Sequence, residues 1–447
     1  MNDATAKPHT WVWSVLLGLI LFGAYMANGR EVGSEDSEST SLQVIALLRG
    51  EGLRLDRFYV PLLRNPRFML PIYVVPSRGH YRSLYPPGTT LLAAPIAALP
   101  LFARDLTEPG WDRNFLESYQ EAKRVSKFAA AVIAALIGVA LDRTLRLLGL
   151  GRHGPVVVLT AGLASTLWPV ASQALWQHGP AALMLTLTVA LLLPRNLPRW
   201  RLVLAGITAG MLVACRMIDV VFAAAALGYV AREKPRGLVW FLPGPIIIGS
   251  ALLAYNFYYF DTVVGGQARL ESLHPALHGV DGPWSGNVVG GALGTLFSPS
   301  RGLFVHSPWV LIVLMLVPAY ARSMRPWPLL YWMLGAVAAD LLVLSKYAVW
   351  WAGHSFGPRY WTDAVPIFAI LLAFSFDWCR THSRALRLAF ALAVAWSVAV
   401  QSVGAFLFPS GWNLTPADVD THHERLWHWL DNEVTRCLYQ SRFWRGS

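Results

Sequence analysis

Charge is scarce in this chain. Asp, Glu, Lys and Arg make up 14% of its 447 residues, where a soluble domain carries about 25%. Cysteine is scarcer still: Cys215, Cys379 and Cys437 have no paired spacing, and two of them border apolar runs. That excludes a disulfide framework and a cysteine metal site. The phosphate loop Gly-x-x-x-x-Gly-Lys-Ser/Thr is absent. A Gly-x-Gly-x-x-Gly match from Gly149 to Gly154 joins two apolar runs instead of a strand and a helix, so it reads as a tight turn. The net charge is +11, but no basic stripe interleaves with stacking aromatics, so nucleic acid is not an expected partner. No repeat pairs the two halves of the chain, as many transporters have.

Hydrophobic residues, by contrast, make up 55% of the chain, with twenty Trp. Apolar runs near the length that spans a bilayer recur from end to end. They cover residues 11–28, 125–141, 155–172, 181–193, 202–215, 217–231, 238–260, 308–321, 327–344, 364–376 and 388–408. The expected class is therefore an all-α polytopic membrane protein with about eleven transmembrane helices. With the N-terminus cytoplasmic, five consecutive inner loops are short and basic. They hold Arg143, Arg146 and Arg152; Arg195, Arg199 and Arg201; Arg232, Lys234 and Arg236; Arg322 and Arg325; and Arg380, Arg384 and Arg387. Such loops lie on the cytoplasmic side of a membrane. The expected division is a transmembrane domain over 1–408, including an outer loop at 29–123, and an outer tail at 409–447.

This topology gathers the unusual residues on the outer face. Glu35, Asp36 and Glu38 follow the first span, and three carboxylates so close together at a membrane are costly. Leu42, Ile45 and Leu48 form one stripe, which predicts a helix lying on the membrane surface. The apolar run 89–103 follows Tyr85-Pro86-Pro87-Gly88. Counting it as a full span would reverse every later loop, so it reads as re-entrant or interfacial.

These features together resemble the GT-C glycosyltransferases, multispanning enzymes with a large first outer loop carrying surface helices. They use polyprenyl-phosphate sugars, and include protein O-mannosyltransferases and lipid A aminoarabinose transferases. Trp176-Gln177-His178-Gly179, Ser298-Pro299-Ser300-Arg301-Gly302-Leu303-Phe304 and Ser355-Phe356-Gly357-Pro358-Arg359-Tyr360 are similar to motifs of a bacterial branch. The resemblance implies transfer of a sugar from a polyprenyl phosphate to a glycan, lipid or protein hydroxyl, at the periplasmic side of a bacterial inner membrane. No cofactor is expected, although the acidic cluster could hold a divalent cation.

Such a transfer needs a base for the acceptor hydroxyl and cations for the departing phosphate. Asp36 is the expected base, with Glu35 as second choice, since desolvation and like-charged neighbours raise a carboxyl pKa. The competing account is an acidic turn capping the next helix through Ser37 or Ser39. Arg359, Arg301 and Arg216 are the candidates for phosphate, which guanidinium binds bidentately; headgroup anchoring, or pairing with Asp219 or Asp363, is the alternative. His178 is a further candidate there. Tyr85, Gln177, Trp351, His354 and Tyr360 are the expected substrate contacts, although aromatic residues also line membrane interfaces without a ligand. A transporter or flippase of a lipid-linked sugar remains the alternative function, as does a non-catalytic assembly protein.

Overall fold

The computed structural model describes residues 9–382 and 384–443; the Glu35 side chain lies outside the described residues. Helix α1 (His9–Met26) is followed by α2 (Glu35–Leu48), α3 (Asp56–Leu62) and a hairpin of β1 (Val74–Ser77) and β2 (His80–Ser83). Next come α4 (Gly88–Thr107), α5 (Phe115–Leu147), α6 (Gly154–Leu163), α7 (His178–Leu192), α8 (Arg199–Cys215) and α9 (Val220–Glu233). The short α10 (Leu238–Phe241) leads into α11 (Pro243–Phe260), and α12 (Gly266–Ser272) and α13 (His274–His278) follow. After α14 (Val288–Phe297) and α15 (Leu303–His306) come α16 (Pro308–Met315), α17 (Val317–Met324), α18 (Pro328–Lys346), α19 (Val365–His382) and α20 (Arg384–Leu407). The tail ends in α21 (Glu433–Phe443).

Helices α4, α5, α18 and α20 are each long and apolar enough to cross a membrane, and α10 with α11, bent by 43°, makes a fifth candidate. Large apolar side chains remain exposed along them, such as Leu388, Leu392 and Trp396 on α20 and Ile246, Ile247 and Leu253 on α11. Leu388, Leu392 and Trp396 fall four residues apart, on one helix face. An apolar stripe of this kind suits hydrocarbon and not water. This is an integral membrane protein.

Several elements differ from the sequence expectation. Within the α2 stripe, Leu42 and Ile45 are buried in the core where α2 packs on α4 and α5, whereas Leu48 is exposed. Helix α4 is one unbroken element despite Pro95 and Pro100, and it is long and apolar enough to cross a membrane. Helix α5 extends the expected span at both ends. The run 308–321 divides into α16 and α17 at Leu316, just before Pro318, because proline removes a backbone donor inside a helix. Helix α14 was not expected at all. Its glycines let it touch α18: a Cβ on Gly291 would fall 2.1 Å from the Ser345 carbonyl oxygen. In the tail, Leu426 and Trp427 belong to a short 3-10 turn.

Three packing features position the residues expected at the site. The hairpin turns at Arg78-Gly79, both at positive φ, as two-residue hairpin turns require. It docks on the end of α11, where Ser77 donates to the Tyr259 carbonyl and Arg82 stacks on the Tyr259 ring at 3.6 Å. The start of α4 presses on the end of α8: a Cβ on Gly88 would lie 2.3 Å from the Ala214 carbonyl oxygen. That contact brings the Tyr85 loop beside Arg216. Finally, α21 packs against α20, and Glu433 at its start reaches Arg301 and the Gly357 N–H.

Candidate active site

Helix α2 begins at a capping box. The Ser34 side chain accepts from the Asp36 N–H, and the Ser37 hydroxyl reaches back to the Ser34 N–H. The cap is therefore Ser34, not Ser37 or Ser39. Asp36 lies in the first turn, where the helix dipole favours a carboxylate. Tyr85 donates to Asp36 Oδ1 at 2.6 Å, and Arg359 Nη1 donates to Oδ2 at 2.7 Å. Arg359 Nη2 donates to the Ala352 carbonyl, and the guanidinium stacks on Trp176 at 4.6 Å. Its buried Nε has no hydrogen-bond partner among the described residues.

A second cation stands behind the first. Arg216 pairs with Asp363, and His178 Nδ1 lies 3.1 Å from Asp363 Oδ2; all three are buried. The Tyr360 ring separates the two arginines, 5.4 Å from Arg216 and 5.8 Å from Arg359. The His178 ring is 6.4 Å from it. Gln177 Nε2 is buried with no hydrogen-bond partner among the described residues. So the structure assembles Asp36, Tyr85, Arg359, Tyr360, Arg216, His178 and the Trp176-Gln177 pair in one place, from five separate stretches of chain.

Three expected site residues are placed elsewhere. Arg301 is buried and uses all five N–H donors within the protein: Trp351 O, Ser300 O, Glu433, Gly353 O and Asn413. It has none left for phosphate. Trp351 is buried and donates to Asp420 in the tail at 2.6 Å. His354 also faces the tail, 2.8 Å from Asp418. These residues join the tail to the loop before α19.

Sequence reasoning missed Glu31. Its signal is an acid between the first span and the acidic stretch, closer to the membrane than Asp36. Glu31 and Glu38 line a cavity of about 140 Å³ with Gly33, Ser34, Ser41, Tyr119, Ala122 and Lys123. Glu38 is held by the Tyr73 and Tyr119 hydroxyls at 2.7 and 2.8 Å. Burial pushes the Glu31 carboxyl up to about 7, against the pull of Lys123 and the Ser126 hydroxyl. A carboxyl in that range exchanges protons near neutral pH.

No protein-family model matches the chain. Nor does any curated protein. Among solved structures, the chain is similar to the crystal structure of ArnT from Cupriavidus metallidurans bound to undecaprenyl phosphate. The two share 14% identity at a TM-score of 0.48, over 97% of this chain and 76% of that one.

Chemically, the assembled residues set two guanidinium cations beside a group of carboxylates. Arg359 and Arg216 supply fixed positive charge beside aromatic faces. Asp36, Glu31 and Glu38 supply carboxylates around the start of one helix.

Proposed function

We propose that this protein is a membrane glycosyltransferase that moves a sugar from a polyprenyl phosphate to an acceptor hydroxyl, on the periplasmic face of a bacterial inner membrane. The observation that carries this reading is the meeting of Asp36 with Arg359. A carboxylate at a helix start faces a guanidinium that keeps a spare buried donor. In the proposed reaction the acceptor oxygen bonds to the sugar anomeric carbon as the bond from that carbon to the phosphate oxygen breaks. The acceptor proton passes to a carboxylate, and the polyprenyl phosphate departs with its negative charge held by Arg359. Phosphate bound at Arg359 competes with Asp36 for Nη1, which frees Asp36 Oδ2 to take the proton. Tyr85 keeps the other oxygen in place.

A specific observation favours a second assignment of the base. Glu31 faces a cavity, and its carboxyl titrates near neutral pH, so it is the alternative proton acceptor. Glu35, whose side chain lies outside the described residues, stays a candidate from its place beside Asp36. The test is Asp36→Asn, Glu31→Gln and Glu35→Gln made separately, with turnover of a polyprenyl-phosphate sugar followed on purified protein. The base variant is expected to lose activity on the order of a hundredfold or more. Unchanged turnover in all three would sink the catalytic reading. Wild-type protein that moves the lipid across vesicles without transferring sugar would point to a flippase instead.

A further inference from the structure

A second cavity lies far from Asp36. Helices α7, α8 and α9 each have one end at the site, marked by His178, Arg216 and Asp219. They run away from it for 15, 17 and 14 residues, or roughly 20–25 Å. Beyond the other ends of α7 and α9, a cavity of about 110 Å³ is lined by Arg195, Tyr229, Glu233, Lys234 and Trp327. We infer that it binds the phosphate headgroup of one anionic phospholipid of the surrounding bilayer.

Three observations point to an anion. The first is charge. The loops around the cavity, 193–201, 231–237 and 321–328, hold eight Lys and Arg against a single acid, Glu233. Glu233 has its own cation, since Arg232 Nε lies 3.7 Å from it, so the surplus is positive. The second is that the lining cations are uncommitted. The Arg195 side chain makes no ion pair or hydrogen bond among the described residues. Lys234 Nζ donates to the Arg195 carbonyl at 2.8 Å, which uses one of its three N–H donors. The third is Tyr229. It is only 5% exposed, yet its hydroxyl makes no hydrogen bond among the described residues. Leaving a buried hydroxyl unpaired is costly, and a phosphate oxygen in the cavity accepts from it.

The surroundings select a lipid over a free ion. Leu227 and Ala231 on α9 are exposed four residues apart, and Tyr331, Gly335 and Ala338 on α18 repeat at helical spacing. The two helices pack on each other, and a Cβ on Gly335 would meet nothing within 4 Å. These apolar faces begin within two residues of the cavity lining, at Tyr229 and Leu329, and suit acyl chains. Trp327 also lines the cavity, and Trp favours the level where hydrocarbon meets headgroups. The volume is several times the ~10–15 Å³ that one water requires, so a phosphate group has room. Basic pockets between membrane helices hold anionic headgroups by this combination. A zwitterionic lipid brings its own cation and gains less from these loops. The inference is independent of the proposed transfer reaction.

The experiment uses the full chain, purified in detergent and stripped of lipid. It is mixed separately with phosphatidylglycerol, phosphatidylcholine and inorganic phosphate, and binding is read by native mass spectrometry. The wild type should hold one phosphatidylglycerol per chain at least ~10-fold more tightly than phosphatidylcholine. Arg195→Gln combined with Lys234→Gln should abolish that preference, and Tyr229→Phe should weaken it. Arg387→Gln, at an exposed basic residue outside the cavity, should bind as wild type. Equal wild-type affinity for the two lipids overturns the proposal without reference to any variant. So does inorganic phosphate that binds where phosphatidylglycerol does not, which marks a site for a soluble anion. An unchanged preference in the double variant, or an equal loss in Arg387→Gln, assigns the effect to diffuse charge and overturns it as well.

Discussion

Replacing Glu31 by Gln removes a carboxyl that burial has pushed from 4.5 to about 7. That displacement corresponds to about 3 kcal/mol between the protonation states; contact with the cavity reduces it to roughly 1–3 kcal/mol. The sign follows from linkage. Between the two values the folded protein keeps the proton and the unfolded chain has released it, so stability falls as pH rises. The Glu31 contribution is complete below 4.5 and gone above about 7. Glu31→Gln lacks this slope and should be the more stable protein at alkaline pH. Glu38, Lys123 and Lys127 all act on Glu31, so the quantity to compare is the difference between wild type and variant. Melting in detergent from about pH 5 to about pH 8.5 should show that difference growing through neutrality. Parallel curves over the whole range would refute the reasoning. If Glu31 is also the proton acceptor, kcat/KM of the wild type should rise through about pH 7 and the variant should lose that rise.

Arg359→Lys keeps the charge but cannot reproduce a guanidinium that bonds Asp36 and Ala352 while stacked on Trp176. Transfer should fall on the order of 10²-fold, measured as turnover of the lipid-linked sugar. Arg301→Ala leaves Glu433 charged and buried without its cation. The expected cost is about 3–5 kcal/mol of stability, read as a lower melting midpoint. Gly88→Ala places a Cβ 2.3 Å from the Ala214 carbonyl oxygen. Since backbone has to move, about 1–3 kcal/mol should be lost in the same melting assay.

Much of the helical framework was legible because hydrocarbon demands long apolar runs and the chain supplies them. What escaped were places where packing overrides hydropathy. Helix α14 is short and glycine-rich, and only its seat on α18 explains it. The run that became α16 and α17 looks continuous by composition, but Pro318 falls within it. In the apolar stripe of α2, Leu42 and Ile45 pack against protein while Leu48 stays exposed.

At the site, local chemistry could single out Asp36 and Arg359 separately. Their pairing spans 323 residues, and no local signal reports it. Arg301 has the same sequence appearance as Arg359, a basic residue after a Pro-containing turn. Only the tail distinguishes them: it provides Glu433 and Asn413 for Arg301, whereas Arg359 reaches Asp36. Glu31 carried the weakest sequence signal, since a lone acid after a span says nothing about how deeply it will be buried.

The Arg301–Glu433 pair also bears on the order in which the molecule matures. Glu433 accepts both from Arg301 and from the Gly357 N–H, two residues before Arg359. A ribosome delivers residue 433 only after every membrane helix has been made, and domains settle as synthesis proceeds. During that interval the membrane portion can insert and pack while the Arg359 loop still lacks its buried anchor. Helix α21 therefore acts as a latch on the loop that carries Arg359, engaging after the helices before it have been made.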